Sequence, residues 1–284
     1  MGEGGYRQIN KGLNVSVFDS YLETQQAQLP KLENVQQLSP RVIRILGQNP
    51  GKFTLQGTNT YIVGTGNKRL IIDTGQGIRE WAHLVEATLG KHGIGLSHIM
   101  LTHWHGDHTG GVPDLLRMFP DLSDRVFKHS PSEGQRPIAD GETFSVEGAT
   151  VSAVHGQGHS HDHVCFVLEE ENAMFTGDNV LGHGTSAVEH LGIYMQTLEK
   201  LKAKGCMVGY PAHGDIIVDL GAKITQELSA KTRREQRCID ALSKLKRERG
   251  GGAGGLASAT VKELVLAMHS SQLDEVIRLL LLFG

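Results

Sequence analysis

Four side chains of the kind that bind metal ions fall within six consecutive positions: His103, His105, Asp107 and His108. Zinc takes imidazole nitrogen and carboxylate oxygen as ligands, and a catalytic zinc site keeps one coordination position for water. Four such groups are too crowded in a short loop to converge on a single tetrahedral ion. We therefore expect two adjacent ions, with His103 and His105 on one and Asp107 and His108 on the other.

Three further candidate ligands lie in turns, each shortly after an apolar run that predicts a buried strand. They are His159 after 150–154, Asp178 after 173–175 and His213 after 206–208. The first four ligands likewise follow the apolar run 99–101. Because binding residues often lie on loops that a rigid scaffold holds in place, four such loops predict one shared metal centre. Paired zinc ions would make water nucleophilic at neutral pH and polarise the bond under attack, so the expected reaction is hydrolysis.

Composition limits the classes of protein to which the chain can belong. Its 284 residues suit one large domain, or one domain with a small appendage. A net charge of −3 argues against a chain built to bind nucleic acid. The cysteines Cys165, Cys206 and Cys238 are widely separated, which favours a reducing compartment without disulfides. With no apolar run long enough for a membrane and no signal-peptide core at the start, we expect a cytoplasmic protein.

Hydrophobic periodicity predicts strand groups that alternate with helices. The predicted strands are 41–46, 53–55, 58–63, 70–73, a segment ending at Leu101, 125–127, 142–144, 150–154, 164–168, 173–175 and 206–208. The predicted helices are 78–91, 109–119, part of 182–204, 222–248 and two short segments within 259–282. In the second helix, Thr109 is the expected N-cap and Pro113 lies in the first turn. This order indicates an α/β fold in which two sheets pack together with helices outside.

The chain is predicted to have three parts. Residues 1–40 are an N-terminal arm, 41–220 the hydrolase domain and 221–284 a small helical C-terminal subdomain. A glycine-rich stretch at 250–255 predicts a flexible linker inside the last part.

The remaining histidines and one carboxylate have less specific expectations. Asp73 ends a predicted strand, where it could brace a ligand histidine or simply cap a turn. His163 could line the pocket, although packing at the start of a strand is the stronger expectation. Among its neighbours, His155 and His161 compete with His159 for a single ligand position. His183 and His190 could face the substrate. We expect His98, His129 and His269 to be structural or solvated.

The motifs around the seven candidate ligands resemble those of the metallo-β-lactamase superfamily over roughly residues 41–220. The resemblance implies an αββα sandwich of two mixed sheets, with two zinc ions. The implied ligands are His103, His105 and His159 for one ion, Asp107, His108 and His213 for the other, and Asp178 as a bridge. The family usually has Thr-Pro-Gly-His at the third ligand, whereas here Gln157 replaces the proline, which removes a source of loop rigidity.

Three longer stretches, 47–66, 102–111 and 175–185, are similar to one branch of that superfamily. This branch is the atrochrysone carboxyl acyl-carrier-protein thioesterases of fungal non-reducing polyketide pathways. The resemblance implies release of an aromatic polyketide from the acyl-carrier protein of a synthase by thioester hydrolysis. Asp107 is the expected catalytic residue, because it could hold the attacking water and move its proton.

Two other hydrolases stay open as alternatives. The β-lactamase-like endoribonuclease, which cleaves single-stranded RNA, carries slightly altered forms of the same motifs. In its favour, the segment 231–249 contains eight Lys or Arg residues and only three acidic ones, and basic runs can follow phosphates. Such a run is more often a solvated helix face. A glyoxalase II-like thioester hydrolase is the other alternative, although nothing in the sequence marks a glutathione site.

Overall fold

The computed structural model describes residues 27–249 and 258–269. Within these residues, 27–224 belong to one compact unit, and 225–249 with 258–269 belong to a second. The first unit holds two β-sheets and their covering helices. Among the described residues, every helix is too short or too polar to cross a membrane.

Seven strands form the first sheet, in the spatial order β1 to β7. Their bounds are β1 Val35–Gln37, β2 Val42–Leu46, β3 Asn59–Val63, β4 Lys68–Ile72, β5 Gly95–Met100, β6 Val126–Lys128 and β7 Arg136–Pro137. Strands β1 to β4 pair antiparallel, whereas β4 to β7 pair parallel. The carboxyl ends of β4, β5 and β6 therefore lie at the same edge of this mixed sheet.

Five strands form the second sheet, in the order β12-β11-β10-β9-β8. Their bounds are β8 Thr143–Val146, β9 Ala149–His155, β10 Val164–Leu168, β11 Ala173–Gly177 and β12 Val208–Pro211. Only β11 and β12 pair parallel, so this sheet is mixed as well.

Six α-helices lie in the part of the chain that the structure describes. They are α1 Arg79–His92, α2 Gly106–Thr109, α3 Val112–Met118, α4 Leu191–Lys202, α5 Leu220–Glu248 and α6 Val261–His269. Helices α1 to α4 lie in the first unit, and α6 lies in the second. Helix α5 begins in the first unit and continues into the second at Thr225.

Alternation along the strands sends apolar side chains into two separate cores. In β3, Tyr61 and Val63 join the core between the sheets, together with Phe166 of β10. Ile62, on the opposite face of β3, joins a second core with Trp81 of α1. The central strands of the first sheet, β2 to β6, are thus largely buried on both faces, which explains why their sequences are mostly apolar.

The structure confirms the predicted α/β fold, with two mixed sheets and helices outside. The predicted strand at 53–55 is wrong, because only an isolated bridge joins Gly51 to Leu55. Leu55 has a left-handed backbone, with φ of 55°, and this conformation cannot continue an extended strand. Thr54 turns back instead, and its hydroxyl donates a hydrogen bond to the carbonyl of Asn49 at 2.6 Å.

The predicted N-cap at Thr109 is also wrong. Thr109 ends the one-turn helix α2, and its hydroxyl donates to the carbonyl of His105 at 3.1 Å. Helix α3 starts later, after Gly111, without a side-chain cap. Pro113 does lie in its first turn, as predicted.

The predicted domain bounds of 1–40, 41–220 and 221–284 stay a prediction. Within the predicted arm, strand β1 pairs with β2 and extends the first sheet. The linker at 250–255 and the predicted helical residues 270–282 lie outside the described residues. Strands β1 and β7 were not predicted, because their residues, Val-Gln-Gln and Arg-Pro, form no apolar run.

The loop 103–111, which carries four predicted ligands, packs closely against α1. This packing predicts opposite effects on stability for two glycine substitutions. A Cβ on Gly111 would lie 2.1 Å from the carbonyl oxygen of Thr74 and 2.4 Å from the Trp81 ring, so Gly111→Ala should lower the free energy of unfolding by about 3 kcal/mol. A Cβ on Gly90, inside α1, would meet no atom of the described residues within 4 Å, so Gly90→Ala should raise it by about 0.5–1 kcal/mol. Urea unfolding followed by circular dichroism measures both, and equal stabilities would contradict the packing described.

Candidate metal centre

Loops at the ends of four strands bring all seven predicted ligands together. The loop after β5 carries the first four, and the loops after β9, β11 and β12 carry His159, Asp178 and His213. The side chains form two groups, in each of which one potential ligand atom per residue lies within 4.8 Å of every other. The first group is His103, His105, His159 and Asp178, and the second group is Asp107, His108 and His213.

Helix α2 explains how neighbours in the sequence separate into two groups. His103 and His105 precede the helix in non-helical backbone, and His105 has φ of −60° and ψ of 144°. Asp107 and His108 lie within the helical turn, which the His108 N–H closes by donating to the carbonyl of His105. Because the backbone conformation changes at His105, His103 and His105 point into the first group, whereas Asp107 and His108 point into the second.

In the first group, three imidazole nitrogens face one another. His105 Nδ1 lies 2.9 Å from His103 Nε2 and 3.1 Å from His159 Nε2. Asp178 Oδ2 lies 3.5 Å from His159 Nε2. His159 Nδ1 is within hydrogen-bond distance of the Ala187 carbonyl, at 2.8 Å, and therefore carries the proton. The opposite nitrogen then presents a lone pair to the group, which is the tautomer that a metal ligand requires.

In the second group, the contacts join histidine nitrogens to carboxylate oxygens. Asp107 Oδ2 lies 3.2 Å from both His108 Nε2 and His213 Nε2. Asp178 Oδ1 lies 3.2 Å from His213 Nε2, while its Oδ2 lies 3.6 Å from His108 Nε2. Because Asp178 reaches both groups with its two oxygens, it is placed where a bridging ligand would be.

Polar atoms in this centre are buried with unsatisfied bonding directions. Among the described residues, His108 Nε2 and Asp178 Oδ1 have no hydrogen-bond partner, although opposite charges lie close to each. Buried polar atoms are normally paired, so such atoms need an explanation. Atoms that approach each other without hydrogen-bond geometry are expected where both point at a third atom. The donor set and these orphaned atoms therefore fit metal ions.

Asp73 performs the bracing role that its position after β4 allows. Its Oδ2 lies 2.8 Å from His108 Nδ1, and its Oδ1 accepts the Thr102 N–H at 2.8 Å. The carboxylate holds the proton of His108 on Nδ1 and leaves Nε2 directed at the second group. Asp73 has φ of 58°, an unusual conformation for a residue other than glycine, and it is held there by these contacts.

The two groups differ in the pKa values of their histidines. Burial lowers the pKa of His103 well below its usual range, and burial together with His159 lowers the pKa of His105 to about 4. Burial also opposes the charged form of His213, but Asp178 and Asp107 outweigh it and raise the pKa to about 9. The same balance, dominated by Asp107, raises the pKa of His108 well above its usual value.

These shifts show that the second group attracts positive charge. Burial alone would raise the pKa of the Asp107 and Asp178 carboxyl groups, yet the neighbouring histidines hold both below the ordinary value. Two ionised carboxylates in a buried site stabilise a cation beside them. Protons on His108 and His213 supply that positive charge when no metal ion does.

Residues that sequence reasoning missed hold the His213 loop. Asn59, at the start of β3, donates from Nδ2 to the carbonyls of Pro211 and Gly214, each at 2.8 Å. The Tyr61 hydroxyl donates to the Pro211 carbonyl at 2.5 Å. Because these partners are separated by about 150 positions in the chain, no short motif could have identified them.

His163 contributes more than packing at the start of a strand. It is fully buried, and its Nε2 accepts the backbone N–H of Asp178 at 3.0 Å. Its ring stacks on His103 with centroids 5.0 Å apart. A Cβ on Gly177 would come within 2.5 Å of the His163 ring, so glycine is needed there. His163 thus contacts two predicted ligands, Asp178 through a hydrogen bond and His103 through ring stacking.

The loop that carries His159 is held by hydrogen bonds at the position where the family has proline. The Gln157 carbonyl accepts a hydrogen bond from the Thr197 hydroxyl of α4 at 2.6 Å, and its side chain donates to the His161 carbonyl at 2.8 Å. The Gly158 carbonyl accepts the Glu189 N–H at 2.7 Å. Hydrogen bonds to neighbouring elements therefore fix the loop that the missing proline would have stiffened.

The other histidines lie outside the two groups. His155 stacks on His129 with centroids 3.8 Å apart, and His161 is exposed. His190 accepts the Ile193 N–H and so caps α4, which explains its position without a substrate, whereas His183 is exposed. His98 is partly buried against Phe127 and Phe144. The side chain of His269 lies outside the described residues.

The sequence is similar to those of several fungal proteins over almost its whole length. An atrochrysone carboxyl ACP thioesterase of Aspergillus aculeatus is 66% identical over 278 residues, which cover 98% of this chain and 88% of the relative. A protein of the same name from Paecilomyces divaricatus is also 66% identical, with 98% and 87% covered. A lactamase-like protein of Pestalotiopsis fici is 62% identical, with 95% and 85% covered.

Solved structures share the fold at low sequence identity. A β-lactamase domain protein from Burkholderia ambifaria has a TM-score of 0.68 and 17% identity, with 90% of this chain and 86% of the other covered. A metallo-β-lactamase family protein from Thermus thermophilus has a TM-score of 0.63 and 22% identity, with 82% and 89% covered. A family model described as the metallo-beta-lactamase superfamily matches residues 53–213, a span that contains all seven predicted ligands. With that match and these relatives, the chain belongs to the metallo-β-lactamase superfamily.

Proposed function

We propose that the protein is a metal-dependent thioesterase, which releases an aromatic polyketide from the acyl-carrier protein of a non-reducing polyketide synthase. The observation that carries this proposal is 66% identity, over 98% of the chain, to proteins named atrochrysone carboxyl ACP thioesterases. The clustering of seven nitrogen and oxygen ligand residues supports a hydrolytic centre in the same chain. The product would be a carboxylic acid like atrochrysone carboxylic acid.

The proposed cofactor is a pair of zinc ions. His103, His105 and His159 would hold one ion, Asp107, His108 and His213 would hold the other, and Asp178 would bridge both. Support comes from the division of these residues into two groups and from the reach of Asp178 into each. Imidazole and carboxylate suit zinc, and two such ions lower the pKa of a water and polarise the thioester carbonyl.

Asp107 is the proposed catalytic residue. It is partly exposed while its neighbours His108 and His213 are buried, so its carboxylate faces the side from which a substrate can arrive. The Thr58 hydroxyl, 3.5 Å from Asp107 Oδ2, limits its rotation. Held this way and ionised at neutral pH, Asp107 can orient the attacking water and accept its proton. That proton would then pass to the leaving thiolate, which gives the free thiol and the acid.

The thioester substrate matches the acid and base groups that the centre provides. A thiolate is a stable leaving group, so bond cleavage needs little help from a general acid. The demand falls instead on the oxyanion that forms at the carbonyl, which positive charge in a buried site stabilises. The positive charge would come from cations that the carboxylates of Asp107 and Asp178 hold in the buried centre.

The cytoplasm is the proposed location. Cys165, Cys206 and Cys238 are all free thiols in the structure, and this state suits a reducing compartment.

The proposed role of Asp107 can be tested with two variants. Asp107→Ala should lower metal-dependent release of product from a loaded acyl-carrier protein by about 10³-fold, because it removes the proton acceptor. Asp121→Ala, on the exposed turn after α3, should leave the rate unchanged. Product is measured by mass spectrometry, and metal content is measured for each variant. Full activity of Asp107→Ala with normal metal content would exclude the proposed role of Asp107.

A structured RNA and a glutathione thioester serve as competing substrates. Cleavage of RNA with an intact carrier thioester would overturn the thioesterase proposal and favour the ribonuclease alternative. The basic segment 231–249 gives that alternative limited support, because it lies in or next to α5, where Lys244 pairs with Glu248 and Arg249 pairs with Glu263. Turnover of the glutathione thioester alone would favour a glyoxalase II-like enzyme.

The different histidine pKa values predict different pH dependences for the two metal-binding steps. The pKa of His105 is about 4, so at pH 6 to 9 the first group binds metal without displacing a proton from it. The pKa of His213 is about 9 and the pKa of His108 is also raised, so the second group must release two protons, and its affinity should rise by up to about 100-fold per pH unit below pH 9. Cobalt titrations of metal-free protein at pH 6, 7 and 8 measure both steps. Two parallel pH dependences would contradict this assignment.

A further inference from the structure

A buried ion pair lies beside the centre without contacting any of the seven predicted ligands. Lys128, at the carboxyl end of β6, donates from Nζ to Asp162 Oδ2 at 2.8 Å. The side chains are only 5% and 0% exposed. Lys128 belongs to the first sheet, whereas Asp162 lies in the loop between β9 and β10 of the second sheet. The pair therefore ties the two sheets together at the edge where the ligands lie.

The same carboxylate continues the connection toward His159. Asp162 Oδ1 accepts a hydrogen bond from the Ser160 hydroxyl at 3.0 Å, and Ser160 directly follows His159 in the chain. Lys128 also donates to the carbonyl of Ser130. Two hydrogen bonds thus join a rigid strand to the residue next to a predicted ligand, and both oxygens of Asp162 are used.

Stability alone does not account for a pair in this position. Removing two charges from water costs free energy that their attraction only partly returns, and an apolar pair of similar size often serves a fold as well. The loop beside the pair, however, has special need of support. It contains Gly156 and Gly158 on either side of Gln157 and lacks the proline of the usual family loop, so its position depends on contacts with neighbouring residues.

We propose that the Lys128–Asp162 pair is a positioning device that fixes His159 and thereby sets the affinity of the first metal group. The assignment rests on the proposed two-metal centre. The pair adds to the hydrogen bonds that hold Gln157 and Gly158 before His159, since an ion pair anchored on β6 restrains the chain on the other side of His159. The His159 ring is held by the Ala187 carbonyl, and its backbone is held through Ser160.

The position of the pair makes its effect selective. The second group depends on other supports, namely Asp73 for His108 and Asn59 for the His213 loop. The hydrogen bonds of Lys128 and Asp162 described above lead to Ser130 and Ser160, away from those supports. Loss of the pair should therefore weaken binding at the first group and leave the second group unchanged, whereas general destabilisation would affect both.

Cobalt titration of the metal-free full chain tests the proposal, with absorption spectra to separate the two binding steps. His159→Ala and His213→Ala identify which step belongs to which group. The test variants are Ser160→Ala and the double variant Lys128→Met with Asp162→Asn, which leaves no unpaired buried charge. Each should weaken the first-group affinity by about 10- to 100-fold, the usual effect of losing a residue that orients a metal ligand, with the second-group affinity within about twofold of wild type.

Asp124→Asn is the matched control. Asp124 precedes the same strand β6 at its other end and pairs with Arg136 at 3.2 Å, but both side chains are exposed. It should leave both affinities unchanged. Thermal unfolding of each metal-free variant shows whether it is folded, and Ser160→Ala, which removes one hydroxyl, decides the matter if the double variant does not fold.

The outcomes separate this proposal from the proposed function. Wild type with two cobalt ions but unchanged affinities in the test variants would overturn the positioning role alone. Equal losses at both groups would also overturn it, because they would indicate general destabilisation. Wild type that binds fewer than two ions would overturn the two-metal centre and this assignment together. Selective loss at the first group supports the positioning role whatever substrate the enzyme is found to cleave.

Discussion

Lone pairs of nitrogen and oxygen face one another in a buried space at the edge of the two sheets, and every other feature of the site follows from this. His105 Nδ1 lies 2.9 Å from His103 Nε2 and 3.1 Å from His159 Nε2, and a single proton can serve only one of these two contacts. The remaining lone pairs would be satisfied by positive charge between the groups, supplied by a metal ion or by further protons. A fold that holds such groups together must be stabilised elsewhere.

The sheets supply the stiffness that this arrangement needs. Parallel pairing of β4 with β5 and of β11 with β12 carries their loops to one edge, and apolar side chains cover both faces of the first sheet. A strand buried on both faces has little freedom to move, so the loop at its end starts from a fixed point. Even the strained backbone of Asp73 is tolerated, because Thr102 and His108 hold its carboxylate from two directions.

The candidate ligands could be identified from the sequence because their chemistry is local. Three imidazoles and a carboxylate within six positions leave few other interpretations, and an apolar run before each remaining candidate indicates the strand end. Among their supports, Asp73 could be suggested from its place at a strand end, whereas the others could not. Asn59 meets Pro211 across more than 150 positions, so only the folded chain makes them neighbours. The failed strand at 53–55 has a different cause, since Leu55 adopts a left-handed backbone that its residue type does not suggest.

Reaction class and substrate class depend on different parts of this molecule. The seven proposed ligands would hold metal ions that activate water and polarise a carbonyl or phosphoryl group, and such a set can serve many hydrolases because fold and function are separable. Solved structures at 17% and 22% identity share that scaffold, so they bear on the fold alone. Residues outside the ligand set must determine which acyl group is accepted. For those residues, the informative comparison is the 66% identity over 98% of the chain. The thioester assignment therefore rests on similarity over the whole chain, whereas the metal site accounts for the hydrolytic chemistry.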